Sequence, residues 1–138
     1  MNQAPVKVSI IIPHHKGEAL LHKCLQSLNN TSYSNYEIIV VDNNSKDQSI
    51  LKSTKEFPEI KVVSLKQNLG YAGGCNKGAL EAQGELLLFL NNDTIHENNW
   101  IEPLVDMMDN YKEIGSIQPK IKNINNKDRF DYAGGSGG

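Results

Sequence analysis

Hydrophobic residues along this chain follow two alternating patterns. Short continuous runs of Val, Ile and Leu are typical of strands buried on both faces of a parallel sheet, whereas apolar residues at every third or fourth position are typical of amphipathic helices. The runs predict strands at residues 6–12, 37–41, 60–65, 86–90 and 114–118. The periodic segments predict helices at residues 18–28 and 48–56, from a glycine-rich turn at 68–74 to about residue 82, and at 100–111.

Regular alternation of strand and helix with short connections predicts the fold class. Right-handed βαβ units build an α/β, doubly wound, mostly parallel sheet with helices on both faces. A strand order of 3-2-1-4 would place the topological switch between strands one and four, where such sheets bind ligands. The first strand is expected to end before Pro13, so Pro13, His14 and His15 would lie in a loop beside Asn91, Asn92 and Asp93.

Length and charge limit the organisation and the partners. The 138 residues predict a single domain, 1–138, with a polar, glycine-rich tail at 120–138 that cannot close a core, so the chain is expected to be cut short. A formal net charge of -2 gives no general attraction to nucleic acid. The chain shows no secretion or membrane-spanning signal, which predicts a cytoplasmic protein, at most peripheral at the inner face of the membrane. Cys24 and Cys75 are expected to be reduced.

The polar residues Asn91, Asn92 and Asp93 directly follow the strand at 86–90. A carboxylate in such a place suits Mg²⁺ or Mn²⁺, which take few carboxylates together with phosphate oxygens and water. Two readings of Asp93 remain at this point, a metal ligand or the N-cap of the following helix. Asn91 and Asn92 are either ligand-binding amides or turn formers.

The glycine-rich segment from Asn68 to Gly78 either brings backbone N–H groups to a phosphate or lets a helix pack closely. It lacks the G-K-[ST] of a P-loop, and the turn after the first strand lacks G-x-G-x-x-G. A nicotinamide dehydrogenase and a Walker-type nucleotidase are therefore disfavoured, although Asp42 at the end of the second strand could accept a hydrogen bond from a ribose or a base. No zinc-ligand spacing joins the histidines and cysteines.

Four ordered motifs carry a resemblance to a known family. They are Val8-Ser-Ile-Ile-Ile-Pro13, Tyr36-Glu-Ile-Ile-Val-Val-Asp-Asn-Asn-Ser45, Asn68-Leu-Gly-Tyr-Ala-Gly-Gly-Cys-Asn76 and Leu90-Asn-Asn-Asp-Thr94. In this order and spacing they resemble the family-two inverting glycosyltransferases, particularly the rhamnosyltransferase-like branch that builds bacterial surface polysaccharides. The segment Asp131-Tyr-Ala-Gly-Gly134 also resembles the family's continuation.

The resemblance implies a GT-A fold that binds a nucleoside-diphosphate sugar, UDP- or dTDP-linked, and transfers the sugar with inversion to a glycan or lipid-linked acceptor. It implies a divalent cation, Mg or Mn, at Asp93, in a D-x-D motif whose first acid is replaced here by Asn91. It also implies a set of nucleotide-sugar-binding residues: Pro13, His14, Asp42, Asn44, Asn68, Gly70, Gly73, Asn76, Asn91 and Asn92.

The catalytic base is the part of the resemblance that finds no match. The family places it on an acceptor-side segment, and Asp128 and Asp131 lie in a polar tail that would not hold a carboxylate in place. The chain is therefore expected to be the donor-binding part of a transferase. The alternative is a catalytically inactive nucleotide-binding or interaction module derived from that fold. Apolar edges left exposed by the truncation would favour self-association.

Overall fold

The structure is a computed structural model that describes residues 4–132, and it contains four helices and six strands within that range. Contacts divide the chain into two compact units, Met1–Asn99 and Trp100–Gly138. In chain order the elements are β1 (Val8–His14), α1 (Glu18–Asn29), β2 (Tyr36–Asp42), α2 (Ser49–Glu56), β3 (Lys61–Ser64), α3 (Gly70–Glu81), β4 (Leu86–Phe89), α4 (Ile101–Asn110), β5 (Ile121–Lys122) and β6 (Phe130–Tyr132).

Strands β1 to β4 form one parallel sheet in the order β3-β2-β1-β4. Its register pairs Val8 with Tyr36 on one side of β1 and with Leu86 on the other. The prediction of an α/β, doubly wound sheet in this order is therefore confirmed. Because all four strands are parallel, the carboxyl ends of β1, β2 and β4 lie side by side along the same edge of the sheet.

Helices cover both faces of this sheet. Side chains alternate along β1, so Ile11 points to one face and His14 to the other. Helix α3 packs on the Ile11 face, where a Cβ atom added to Gly78 would lie 2.4 Å from Ile11 Cγ2 and 2.9 Å from Val41 Cγ2. On the opposite face, α2 contacts His14 through Ser49 and packs beside α1.

Strand β1 continues through Pro13 to His14, so the prediction that these residues lie in a loop is wrong. Pro13 is tolerated within β1 because its nitrogen, which carries no hydrogen, points towards the side of β4, where it has no strand partner. The carbonyl of Ile11 accepts a hydrogen bond from Leu90 on the β4 side, whereas that of His14 accepts from Asn43 on the β2 side. Pro13 alternates with His14 and therefore faces the β4 side, where the pairing of β1 with β4 ends at Ile11. No sheet hydrogen bond is lost.

The predicted glycine-rich turn at 68–74 is also wrong in its extent, because α3 already begins at Gly70. Gly70 alone in this segment has a positive φ, at 74°. The later glycines adopt helical geometry and bring α3 close to the sheet, as Gly78 shows.

In the second unit, α4 is followed by a short antiparallel pairing of β5 with β6. The strand predicted at 114–118 does not form. A strand requires a hydrogen-bonded partner, and residues 114–118 pair with no other strand in the described part of the chain. Residues 133–138, which include the end of the polar, glycine-rich tail predicted at 120–138 and the last part of the segment at 131–134, lie outside the described residues. The single-domain prediction stays a prediction.

Among residues 4–132, none of the helices has the length and apolar character that crossing a membrane would need.

Candidate functional site

A shallow cavity of about 210 Å³ opens at the edge of the sheet where β1 and β4 end. Its lining consists of Pro13, Tyr71, Asn91, Asn92 and Asp93. Three different pieces of backbone contribute, namely the end of β1, the first turn of α3 and the loop after β4. Residues that are far apart in sequence are thus brought together at the topological switch point of the sheet, where ligands bind in open α/β folds.

The loop after β4 presents Asp93 as an exposed side chain at this cavity. The loop is held at both ends, because Leu90 N donates to Ile11 O at 2.9 Å and Thr94 Oγ1 donates to Asn91 O at 2.9 Å. Helix α4 begins only at Ile101 and has Trp100 at its N-cap position. Asp93 therefore does not cap that helix, and its carboxylate remains available to a ligand.

The first turn of α3 is fixed by Asn43, a residue that the sequence analysis did not single out. Asn43 is 3% exposed. Its Oδ1 accepts from Leu69 N at 2.9 Å and its Nδ2 donates to Gly70 O at 2.9 Å. Asn44 has a left-handed φ of 60°. The carboxamides of Asn43 and Asn44 therefore point in different directions. The sequence showed adjacent asparagines at a strand end, but their backbone conformations decide which one points inward.

Asn68 and Gly70 form the entry to α3. Asn68 Oδ1 accepts from Gly70 N at 2.9 Å, and Gly70 has the positive φ that a residue without a Cβ adopts at little cost. Gly73 is partly buried against Leu69, while Asn76 is exposed on α3. The predicted roles of these residues in nucleotide binding stay predictions.

Two further predicted residues lie at the end of β2. Asp42 Oδ1 accepts from Ser45 N at 2.8 Å, and Asn44 Oδ1 accepts from Lys46 Nζ at 2.7 Å. Asp42 pairs with His14 in the register of β1 and β2. These two side chains shape the loop after β2 but do not line the cavity.

His14 is 1% exposed, so its ring reaches the cavity only through a neighbour. Its Nε2 lies 2.7 Å from Ser49 Oγ and its Nδ1 lies 2.9 Å from Asn92 Nδ2. Burial lowers the pKa of His14, although the charges of Asp47 and Asp42 oppose that shift. The buried ring of His14 is therefore neutral at pH 7, and it contacts Asn92 in this form.

The donor groups at the cavity form only part of a metal site. No cluster of three or more His, Cys, Asp or Glu side chains able to hold a metal occurs in the described part of the chain. Asp93 with the carboxamide oxygen of Asn91 supplies a hard, partial set of ligands. Such a set suits Mg²⁺ or Mn²⁺ when a diphosphate supplies further oxygens. The residues fit a shared metal, held jointly by protein and ligand.

Behind the loop, His96 lies between two hydroxyl groups. Its Nδ1 is 2.8 Å from Ser27 Oγ and its Nε2 is 2.9 Å from Thr94 Oγ1. Burial lowers the pKa of His96 to about 4. Burial of Cys24 raises the pKa of its thiol to about 11, and both Cys24 and Cys75 are free and buried.

The low pKa of His96 predicts a pH-dependent stability. Between pH 6.5, where an unfolded histidine takes up a proton, and pH 4, the unfolded chain binds more protons than the native one. The stabilisation is therefore complete above pH 6.5 and is lost as the pH falls towards 4, by at most about 1.4 kcal/mol per pH unit. Thermal unfolding at pH 7 and pH 5 measures it, and His96→Gln should reduce the difference. An identical pH dependence in both proteins would contradict the assignment to His96.

Comparison with known proteins gives a consistent result. Residues 9–133 match the family model described as glycosyl transferase family 2. An uncharacterized glycosyltransferase of Haemophilus influenzae is 30% identical over 115 residues, which cover 83% of this chain and 39% of that protein. The glycosyltransferase GlyA of Streptococcus pneumoniae is 32% identical over 118 residues, covering 83% of this chain and 16% of that protein. The chain thus spans well under half of the length of these relatives.

The fold has close counterparts among solved structures. TarS of S. aureus superposes with a TM-score of 0.69 at 27% identity, covering 75% of this chain and 20% of that chain. A second structure, of TarS 1-349 in complex with UDP-GlcNAc, has a TM-score of 0.69 at 24% identity and covers 85% and 38% of the two chains. Both superpositions show that this chain shares the α/β architecture of TarS.

Proposed function

Because this chain belongs to glycosyl transferase family 2, we propose that it is part of a glycosyltransferase and that its cavity binds the nucleoside diphosphate of a UDP- or dTDP-sugar. The chain would form the donor-binding part of an inverting transferase, of the rhamnosyltransferase-like branch, that acts on a glycan or lipid-linked acceptor in bacterial surface polysaccharide synthesis. The observation that carries this proposal is the convergence of Asp93, Asn92 and the start of α3 on one cavity.

The start of α3 suits the diphosphate. The first N–H groups of a helix have no partner within the helix, and the helix dipole favours negative charge at that end. Tyr71, the second residue of α3, lines the cavity, so this end of the helix lies beside it. The N–H of Gly70 is bonded to Asn68 Oδ1, so the N–H groups that follow it would be the ones to meet the diphosphate. The Asn43 side chain holds Leu69 and Gly70 in place and thereby keeps this end of the helix ordered without a ligand.

Asp93 would hold the divalent cation at the opposite side of the diphosphate. A bound Mg²⁺ or Mn²⁺ supplies positive charge that stabilises the leaving diphosphate when the glycosidic bond to phosphate breaks. Asn91 in place of an acid makes Asp93 the one carboxylate among the residues that line the cavity. We therefore expect the cation and the nucleotide to bind together rather than the cation alone.

Deprotonation of the acceptor hydroxyl needs a general base. Asp93 is committed to the metal in this proposal, and Asp131 of β6 accepts a hydrogen bond from Asn123. The proposal therefore assigns donor binding, and not the base, to the described residues. The inactive binding module makes the same prediction for donor binding and differs in turnover, so acceptor-dependent release of UDP by the chain would exclude it. The cytoplasmic location and self-association stay predictions.

Calorimetric titration with UDP and with dTDP, each with and without Mn²⁺, tests the proposed donor site. We expect binding in the presence of Mn²⁺ that is weakened at least about 10-fold by Asp93→Ala, because a direct metal ligand is lost. Asp106→Ala is the matched control, since Asp106 is an exposed carboxylate of α4 that does not line the cavity. Equal affinities of the Asp93→Ala and Asp106→Ala variants, or no binding of either nucleotide to the native chain, would contradict the proposal.

A further inference from the structure

A chain of hydrogen bonds runs from α2 to the cavity and passes through the interior of the first unit. Asp47 Oδ1 accepts hydrogen bonds from both the hydroxyl and the backbone N–H of Ser49. Ser49, which is 1% exposed, contacts His14 Nε2, and His14 Nδ1 contacts Asn92 at the cavity. The far end is anchored as well, because Asp47 Oδ2 accepts from Gly17 N at 3.2 Å.

The directions of these hydrogen bonds follow from the chemistry of the groups. The Ser49 hydroxyl donates a hydrogen bond to the Asp47 carboxylate, which can only accept when it is ionised. The hydrogen bond from Ser49 holds the pKa of Asp47 below its usual range. Ser49 Oγ must therefore accept the proton of His14 Nε2–H, and a neutral ring protonated at Nε2 has a lone pair at Nδ1.

This lone pair determines how the Asn92 carboxamide is turned. A lone pair requires a donor, so the NH₂ group of Asn92 faces His14. The same Nδ2 atom also donates to Lys16 O at 3.3 Å. Both of its hydrogens are thus used, and the polar atom that Asn92, a residue lining the cavity, has left for a ligand is Oδ1, a pure acceptor. A reversed carboxamide would set two acceptors, Oδ1 and Nδ1, against each other.

We propose that the hydrogen-bonded series Asp47–Ser49–His14 is a positioning device that fixes Asn92 as an acceptor in the cavity and so selects ligands that donate a hydroxyl there. This inference rests on the proposed donor site and adds three residues, none of which lines the cavity. A nucleotide with ribose hydroxyls supplies such a donor. An acceptor held in place by buried partners discriminates against a ligand that lacks the hydroxyl more strongly than a freely rotating amide does, because its unpaired oxygen stays in the site.

The tautomer of His14 tests the positioning device without any ligand. In a ¹⁵N-labelled chain at pH 7, two-bond ring correlations are expected to show a neutral His14 protonated at Nε2. In Ser49→Ala, Nε2–H loses its acceptor, so the Nδ1–H form should become detectable. A native His14 that is protonated at Nδ1, or charged, would overturn the inference whether or not the chain binds a nucleotide.

Ligand discrimination tests the functional consequence of the positioning device. The ratio of affinities for UDP over 2′,3′-dideoxyuridine diphosphate, both with Mn²⁺, should fall roughly 3- to 10-fold in Ser49→Ala. Ser53→Ala is the matched control, because Ser53 is a second buried serine of α2, while the hydrogen bonds of the His14 ring go to Ser49 and Asn92. Ser49→Thr keeps a hydroxyl and should restore the ratio.

The outcomes separate this inference from the proposed function. Tight UDP binding by the native chain with an unchanged ratio in Ser49→Ala would overturn the positioning device and leave the donor site intact. Absence of UDP binding would contradict the donor site, and the His14 tautomer would then decide alone whether Asn92 is fixed as an acceptor.

Discussion

Replacement of Gly78 by alanine is expected to reduce the free energy of unfolding by about 3 kcal/mol, because the new Cβ has no room between α3 and the sheet. It would lie 2.4 Å from Ile11 Cγ2 and 2.9 Å from Val41 Cγ2, and both of these side chains are fully buried. Neither can rotate into solvent, so α3 must move away from the sheet. Thermal unfolding should show a melting temperature lower by roughly 10 °C.

Gly115→Ala is the control for this change, since a Cβ there meets nothing within 4 Å and the residue has no positive φ. Alanine favours helices over glycine by about 1 kcal/mol, which opposes the expected loss at position 78. An unfolding free energy that is unchanged or raised in Gly78→Ala would show that packing of α3 against the sheet does not limit the fold.

Asn43→Ala is expected to cost about 2 kcal/mol and to weaken nucleotide binding as well. The substitution removes a buried carboxamide that bonds to Leu69 N and to Gly70 O, the two backbone groups that lead into α3. Without them the first turn of the helix is free to fray, and its N–H groups lose their fixed direction towards the cavity. Denaturant unfolding measures the first effect, and titration with UDP and Mn²⁺ measures the second.

Asn43→Asp separates hydrogen bonding from packing in this prediction. The aspartate keeps the acceptor for Leu69 N but places a carboxylate oxygen against Gly70 O, so it should be at least as destabilising as alanine. Asn76→Ala, at an exposed position of α3, should be neutral or slightly stabilising because alanine is the better helix former. A loss at position 43 no larger than that at position 76 would contradict the role of Asn43.

Much of the fold could be predicted because local and global signals agree in it. The strands of the sheet are continuous β-branched or leucine runs, and their alternation with amphipathic helices leaves few topologies. The errors arose where tertiary contacts override local preference. Pro13 would end most strands, yet it remains in β1 because its nitrogen faces a side with no strand partner at that position. Gly73 and Gly74 were predicted to lie in a turn, yet they are helical because α3 packs closely on the sheet.

The candidate site was predictable in position and less so in detail. Strand ends and sheet order brought Pro13, Asn91, Asn92 and Asp93 to one edge, and the structure places all of them at one cavity. Burial could not be deduced. His14 was expected in an accessible loop but is enclosed, and its contact with Ser49 joins residues 35 positions apart. Such long-range pairs leave no pattern in a single sequence, and the roles of these residues in binding stay predictions.

The most direct test of the account is the location of the metal–nucleotide complex. In a ¹⁵N-labelled chain with saturating UDP, small additions of Mn²⁺ broaden the resonances of nearby amides. We predict that broadening centres on Asn91 to Asp93, extends to the first turn of α3, and is lost in Asp93→Ala. Broadening centred instead on the groove between α1 and α2, which is lined by Glu18, His22 and Glu56, or unaffected by Asp93→Ala, would contradict a donor site at the ends of β1 and β4.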